Sequence, residues 1–340
     1  SMKRLTISLS VLAALLLAPA VYYFYAPAPK VLVEPLDKLS LSIGGHTRRY
    51  GVYFPPDLKP GARLLFALHP SMSSGDEMRR WIGPMIERFA SHHNTVVVYP
   101  DGFEGHFNDC RKVASYSARK ENIDDVALIK QITNRLVNNA QVDPKQVFAL
   151  GYSIGGHLAF RLALETSGFI QGIIAIAANL PAENNMACHS VGALPRFVSL
   201  IEGTQDPINP YDGGKVTLFG FGDRGDVLSA DGSAQWFADG LGISLQEQAL
   251  LASDLLKLEL VTDSTLSDPQ INQHEKQHEN QPVQFKSWRS SDAHVSLISI
   301  VGGGHTIPQA NFRFRRLLGM TLADDALLIS ALASMIKTDL

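Results

Sequence analysis

A chain of 340 residues that is 45% hydrophobic and 19% charged carries enough apolar material for one large core, which excludes a disordered protein. Its net charge of −3 offers no cationic field for a polyanion, so nucleic acid is excluded as a partner and a small or neutral molecule is expected.

Lys3-Arg4 lead into the apolar run Leu5 to Ala18, the charge order of an export signal. Ala18-Pro19-Ala20 and Ala26-Pro27-Ala28 are the candidate cleavage triplets, each weakened by its proline. Read through Val21 to Tyr25, the run instead suits an uncleaved membrane anchor. Residues 1–35 are therefore expected to be a signal peptide or N-terminal anchor plus linker. Both readings put the body, residues 36–340, outside the cytoplasm, secreted, periplasmic or tethered to the membrane. Two cysteines in an exported chain, Cys110 and Cys188, make one disulfide the expectation.

Beyond the linker, Leu39 to Ile43 and Arg48 to Phe54 alternate apolar and polar residues about Gly44-Gly45, which predicts a β-hairpin. Continuous apolar runs at Leu64 to Leu68, Val96 to Tyr99, Val147 to Leu150, Ile173 to Ile176 and Phe197 to Ile201 predict parallel strands covered on both faces. Helical patterns at Asp76 to Ala90, Asp124 to Val137 and Gly155 to Glu165 alternate with them. Such alternation implies an α/β fold with a doubly wound, mostly parallel sheet and no second domain. Ser229 to Leu241 and Leu245 to Leu258 are expected to be helices, Val295 to Val301 a strand and Asp324 to Ile336 a closing helix. Ser264 to Gln284 is almost devoid of apolar residues and predicts a polar surface excursion.

The chemistry begins at Gly151-Tyr152-Ser153-Ile154-Gly155-Gly156, placed directly after one strand and before one helix. A serine forced onto a tight strand-to-helix turn needs glycines two residues to either side, and the turn lifts its hydroxyl above the sheet edge. Ser153 is thus the expected nucleophile, with the Ile154 amide available to an oxyanion. A serine hydroxyl needs a base and an orienting carboxylate, in the order Ser, Asp, His. Asp206 and His305 each stand just past a strand, at the carboxyl edge where open α/β sheets gather their sites. Asp212 and Asp223 are weaker candidates for the acid. The second oxyanion donor is expected from Leu68-His69-Pro70-Ser71, and since proline has no N–H, Ser71 is the candidate. His69 reads as support for that loop. His69, Phe107, Tyr152 and Pro207 complete the candidate substrate-contacting set.

His274-Glu275-Lys276-Gln277-His278 matches the zinc-protease signature H-E-x-x-H, but it lies in the polar excursion next to Asn280 and Pro282 rather than on a helix in a cleft. No metal and no organic cofactor is expected.

Several ordered blocks carry a family resemblance: Phe66-Ala67-Leu68-His69, Tyr99-Pro100-Asp101-Gly102, Phe107-Asn108-Asp109-Cys110, Asp124-Asp125-Val126, Val142-Asp143, Gly203-Thr204-Gln205-Asp206-Pro207 with Tyr211-Asp212-Gly213-Gly214, and Gly302-Gly303-Gly304-His305-Thr306. From about Leu39 to Ile336 the chain resembles the α/β-hydrolases that include polyhydroxybutyrate depolymerases and the feruloyl and acetylxylan esterases of the family-one carbohydrate esterases. The resemblance implies a serine esterase with Ser153, Asp206 and His305 as triad. It also implies pairing of Cys110 with Cys188 and a small or polymeric ester substrate. Three departures stand out: Pro70 where the family has glycine, Ile154 where it commonly has asparagine, and Phe107 and Ile307 where it has tryptophan. A peptidase or acyltransferase using the same triad is the alternative, as is a membrane-tethered, non-catalytic binding protein.

Overall fold

The computed structural model describes residue 15, residues 17–247 and residues 283–337. Ten strands form one sheet, in the order β1 (Lys38–Ile43), β2 (His46–Tyr53), β4 (Thr95–Pro100), β3 (Ala62–Leu68), β5 (Val142–Tyr152), β6 (Gly172–Ile176), β7 (Phe197–Gly203), β12 (His294–Ile300), β11 (Val283–Arg289) and β10 (Leu245–Glu247). β4, β3, β5, β6, β7 and β12 run parallel, and antiparallel ribbons flank them at both ends.

The hairpin closes with Ile43 opposite His46 across Gly44 and Gly45, whose φ values of +57° and +83° are the left-handed pair that a two-residue turn of this twist demands. Inside the sheet, period-2 alternation divides one strand between two cores. Leu64 and Phe66 pack on one face with Leu128, Ile129 and Ile132 of helix α2 (Asp125–Ala140) and Leu158 of α3 (Ile154–Glu165). Leu65 and Ala67 face the other way, onto Ile82 and Ile86 of α1 (Gly75–His92) and Leu328 and Leu332 of α5 (Ala326–Lys337). Full burial of each such side chain contributes about 2 kcal/mol. That two-sided demand is why the inner strands read as unbroken apolar runs.

Local chemistry fixes where the helices begin. Ser74 accepts the Glu77 amide, Asp124 the Ala127 amide, and Ser229 the Gly232 amide at the start of α4 (Ala230–Leu241).

Departures from expectation lie toward the C-terminal half. Leu245 to Leu258 is expected to be helical, but Leu245–Glu247 pair with β11 as an edge strand, a ladder partner outweighing local periodicity there, and the rest of that stretch lies outside the described residues. Val283 and Gln284, expected at the end of the polar excursion, open β11 instead. The rest of that excursion, with the H-E-x-x-H match, lies outside the described residues. A small arm of β8 (Gly214–Lys215) and β9 (Asp226–Val227) has no counterpart in the sequence reading. Residues 17–24 are helical, and among the described residues no helix is long and apolar enough to cross a membrane.

Candidate active site

Ser153 sits between β5 and α3 with φ +54° and ψ −117°, a conformation side chains rarely adopt. Its neighbours explain how it is held. A Cβ on Gly155 would stand 2.2 Å from the Leu68 carbonyl oxygen, and one on Gly151 would stand 2.1 Å from the Gly155 backbone, so only glycine lets α3 start so close to β3 and β5. The Ser153 amide donates to the Ile176 carbonyl at 2.8 Å, pinning the turn to β6.

Asp206 and His305 reach the same point from the ends of β7 and β12. The His305 ring spans the two other side chains, with Nδ1 2.7 Å from Asp206 Oδ2 and Nε2 2.9 Å from Ser153 Oγ. Asp206 keeps its other oxygen, Oδ1, for the amides of Ile208 and Asn209 at 2.7 and 2.8 Å. The carboxylate is therefore fixed by three bonds and fully buried. The loop bearing His305 is clamped at both backbone polar groups: its amide donates to the Leu318 carbonyl at 2.6 Å, and its carbonyl accepts the Tyr152 hydroxyl at 2.6 Å. Under Asp206, the buried Glu202 accepts the Ala178 amide at 3.0 Å and faces Asn209 Nδ2 at 3.4 Å. Burial pushes the Glu202 carboxyl well above the usual carboxylate range, and the nearby charge of Asp206 adds to the rise. Asp212 is exposed and Asp223 is committed to Lys215 at 2.8 Å, so neither stands in for Asp206.

The comparisons with known proteins agree with this architecture. A family model described as Phospholipase/Carboxylesterase matches residues 109–218, the stretch holding Ser153 and Asp206. A solved acetyl xylan esterase from Aspergillus awamori superposes with a TM-score of 0.51 at 13% identity, covering 81% of this chain and 96% of that one. The chain has the α/β-hydrolase fold and resembles the carbohydrate esterases. Feruloyl esterase B of Piromyces equi is 27% identical over 153 residues, covering 45% of this chain and 28% of its own. Feruloyl esterase C of Emericella nidulans is 27% identical over 179 residues, covering 50% and 59%. An acetylxylan esterase of Coprinopsis cinerea is 30% identical over 132 residues, covering 38% and 34%. The chain thus spans well under two thirds of the curated relatives it matches.

On this α/β-hydrolase scaffold a cleft of about 930 Å³ opens over Ser153 and His305. Ser71 lines it. Pro70 has no N–H and the Met72 amide is spent on the Gly105 carbonyl at 2.9 Å, which leaves the Ser71 amide as the donor that loop can offer. Ile154, the first residue of α3, has an amide with no acceptor inside the helix. Tyr152 lines the cleft, but the three other candidates for substrate contact do not. His69 is wholly buried, with Nδ1 donating to the Pro70 carbonyl at 2.7 Å and Nε2 accepting the Gly102 amide at 2.8 Å, and Phe107 packs against its ring, equally buried. Burial lowers the His69 pKa to about 4, so it is a neutral strut between two loops. Pro207 is exposed and stands outside the cleft lining, where its successor Ile208 takes the place.

Cys110 and Cys188 form a disulfide, Cα to Cα 5.0 Å, tying the turn after β4 to the segment before β7. Missed altogether were the walls. Trp81, stacked on Phe312, makes one apolar side. Residues of the β8–β9 arm make a second, and Phe24 with the linker residues Ala26 to Pro29 a third. No local motif marks these segments, because they meet only once the chain is folded.

Proposed function

We propose that this chain is a serine carboxylic ester hydrolase that works through an acyl-enzyme, with Ser153 as nucleophile, His305 as base and Asp206 as the residue that orients it. The observation that carries the reading is the single imidazole bridging hydroxyl and carboxylate at 2.9 and 2.7 Å. Ser153 Oγ attacks the ester carbonyl carbon while His305 Nε2 takes its proton, and Asp206 stabilises the imidazolium. The resulting oxyanion is held by the Ile154 and Ser71 amides. Collapse breaks the bond to the alcohol, which leaves with the proton from His305. Water, activated by the same imidazole, then releases the acid and restores Ser153.

Feruloyl or acetyl esters of carbohydrates, as in the names of the relatives, and hydroxyalkanoate or other polyester oligomers are the proposed substrate classes. An apolar-walled cleft of this volume suits an aromatic or oligomeric acyl group. An extracytoplasmic site of action is part of the proposal, supported by the basic-then-apolar leader and by a disulfide that persists in an oxidising compartment. Residues 36–340 constitute the proposed catalytic domain.

The test is hydrolysis of p-nitrophenyl acetate together with labelling by a fluorophosphonate. Ser153→Ala is expected to lose both while keeping its thermal unfolding midpoint. Wild-type rates or labelling in that variant would refute the assignment.

A further inference from the structure

The cleft contains more positive charge than its own carboxylates neutralise. Arg80 faces Glu77 at 3.5 Å, and both line the cleft. Deeper in, Arg111 and Arg224 share one neighbouring carboxylate, Asp109, and its ion pair goes to Arg111, with Nη2 at 2.7 Å and Nε at 3.1 and 3.2 Å from its oxygens. The Tyr116 hydroxyl also donates to Asp109. Burial opposes the charge of Asp109, yet Arg111 outweighs it and holds the carboxyl below the usual range. Arg224 is left half-buried with no carboxylate in ion-pair range among the described residues. Its guanidinium reaches only the Gly222 carbonyl, at 3.4 Å. Burial and then the like charge of Arg111 press its pKa down, so an incoming anion would relieve a standing penalty.

The position of Arg224 is built rather than incidental. Its amide donates to the Val216 carbonyl at 3.0 Å, and its carbonyl accepts Nδ2 of the buried Asn185 at 2.9 Å. Gly225 is required there, since a Cβ would come within 2.4 Å of the Asn185 amide. Asn185 in turn receives the Val113 amide at 3.1 Å, and the Ala187 amide reaches the Cys110 carbonyl at 2.7 Å. The Cys110–Cys188 disulfide thus staples the turn of Arg111 to the segment that grips Arg224.

The second observation is His157. It lies one turn beyond Ser153 on α3, is 2% exposed, lines the cleft, and its Nδ1 has no hydrogen-bond partner. Burial, reinforced by Arg111, holds its pKa well below the ordinary value. His157 thus lines the same cleft as Ser153 and Arg224.

We propose that Arg224, in a cleft wall that also holds His157, forms a subsite for a carboxylate carried by the substrate, so that half-esters of dicarboxylic acids and ester oligomers ending in a free carboxylate are preferred over neutral esters. This rests on the esterase reading and names its substrate class. The carboxylate stays chemically inert: it is held by a charge-assisted hydrogen bond while Ser153 attacks the ester group.

The experiment compares kcat/KM for monoethyl adipate and diethyl adipate in wild type, Arg224→Gln and Lys215→Gln. Wild type is expected to favour the half-ester at least about tenfold, Arg224→Gln to bring the ratio near one, and Lys215→Gln, an exposed cation of the same arm, to keep the wild-type ratio. Using a ratio cancels any general loss of folded enzyme. Adipate itself should inhibit wild-type hydrolysis of the diester competitively, less so as ionic strength rises. A wild-type ratio near or below one, an unchanged ratio in Arg224→Gln, or no inhibition by adipate would overturn the subsite while leaving the esterase standing. If neither ester is cleaved and the fluorophosphonate does not label, both proposals fall together.

Discussion

The floor of the cleft and its walls are built by different means. On the floor, Ser153, Asp206 and His305 stand at the carboxyl ends of β5, β7 and β12, strands of one parallel sheet, and the polar groups holding them are paired with backbone. The walls come from segments far apart in sequence: Phe24 to Pro29, Trp81, the β8–β9 arm and Phe312 to Leu318. They are held by aromatic stacking, the buried Asn185 amide and one covalent bond. The floor is expected to determine whether an ester bond breaks, and the walls which ester arrives.

The sharpest way to break that division is Asp206→Asn. It keeps the shape but presents the wrong hydrogen-bond partner to His305 Nδ1, and kcat for p-nitrophenyl acetate should fall about 10⁴-fold with little change in unfolding midpoint. A loss of less than tenfold would mean the floor does not carry the chemistry.

The walls answer to the disulfide. Replacing both Cys110 and Cys188 by serine opens a 78-residue separation, and the loop-closure argument gives a loss of about 4.5 kcal/mol, read in thermal unfolding with the wild type in reducing agent alongside. Since Arg111 and the grip on Arg224 depend on that staple, KM should rise more than kcat falls. The opposite pattern would show that the staple serves the triad.

The smallest effect is expected at the seam between the two regions, where Tyr152 lines the cleft and also bonds the His305 carbonyl. Tyr152→Phe should cost about 1 kcal/mol of stability and lower kcat by no more than about tenfold, measured by denaturant titration and initial rates. A far larger fall in kcat would make the hydroxyl more than a brace.

Much of the floor was legible in the chain itself. The spacing Gly151, Ser153, Gly155 already implies a backbone too crowded for any Cβ, and in the fold a Cβ on Gly155 would stand 2.2 Å from the Leu68 carbonyl oxygen. The inner strands announced themselves because burial on both faces demands unbroken apolar runs. By contrast, Leu245–Glu247 looked helical until β11 supplied a ladder, and Phe107 looked like a substrate contact but packs, wholly buried, against the His69 ring.

Sequence alone determined the inner strands, the hairpin, the elbow and the order Ser, Asp, His of the candidates, because each follows from periodicity, turn chemistry or position after a strand, and all of these are local. Tertiary structure decided which carboxylate Arg111 would claim, leaving Arg224 without one among the described residues, and which aromatic rings would wall the cleft. Those outcomes depend on distances between segments up to hundreds of residues apart, and only the closed fold fixes such distances.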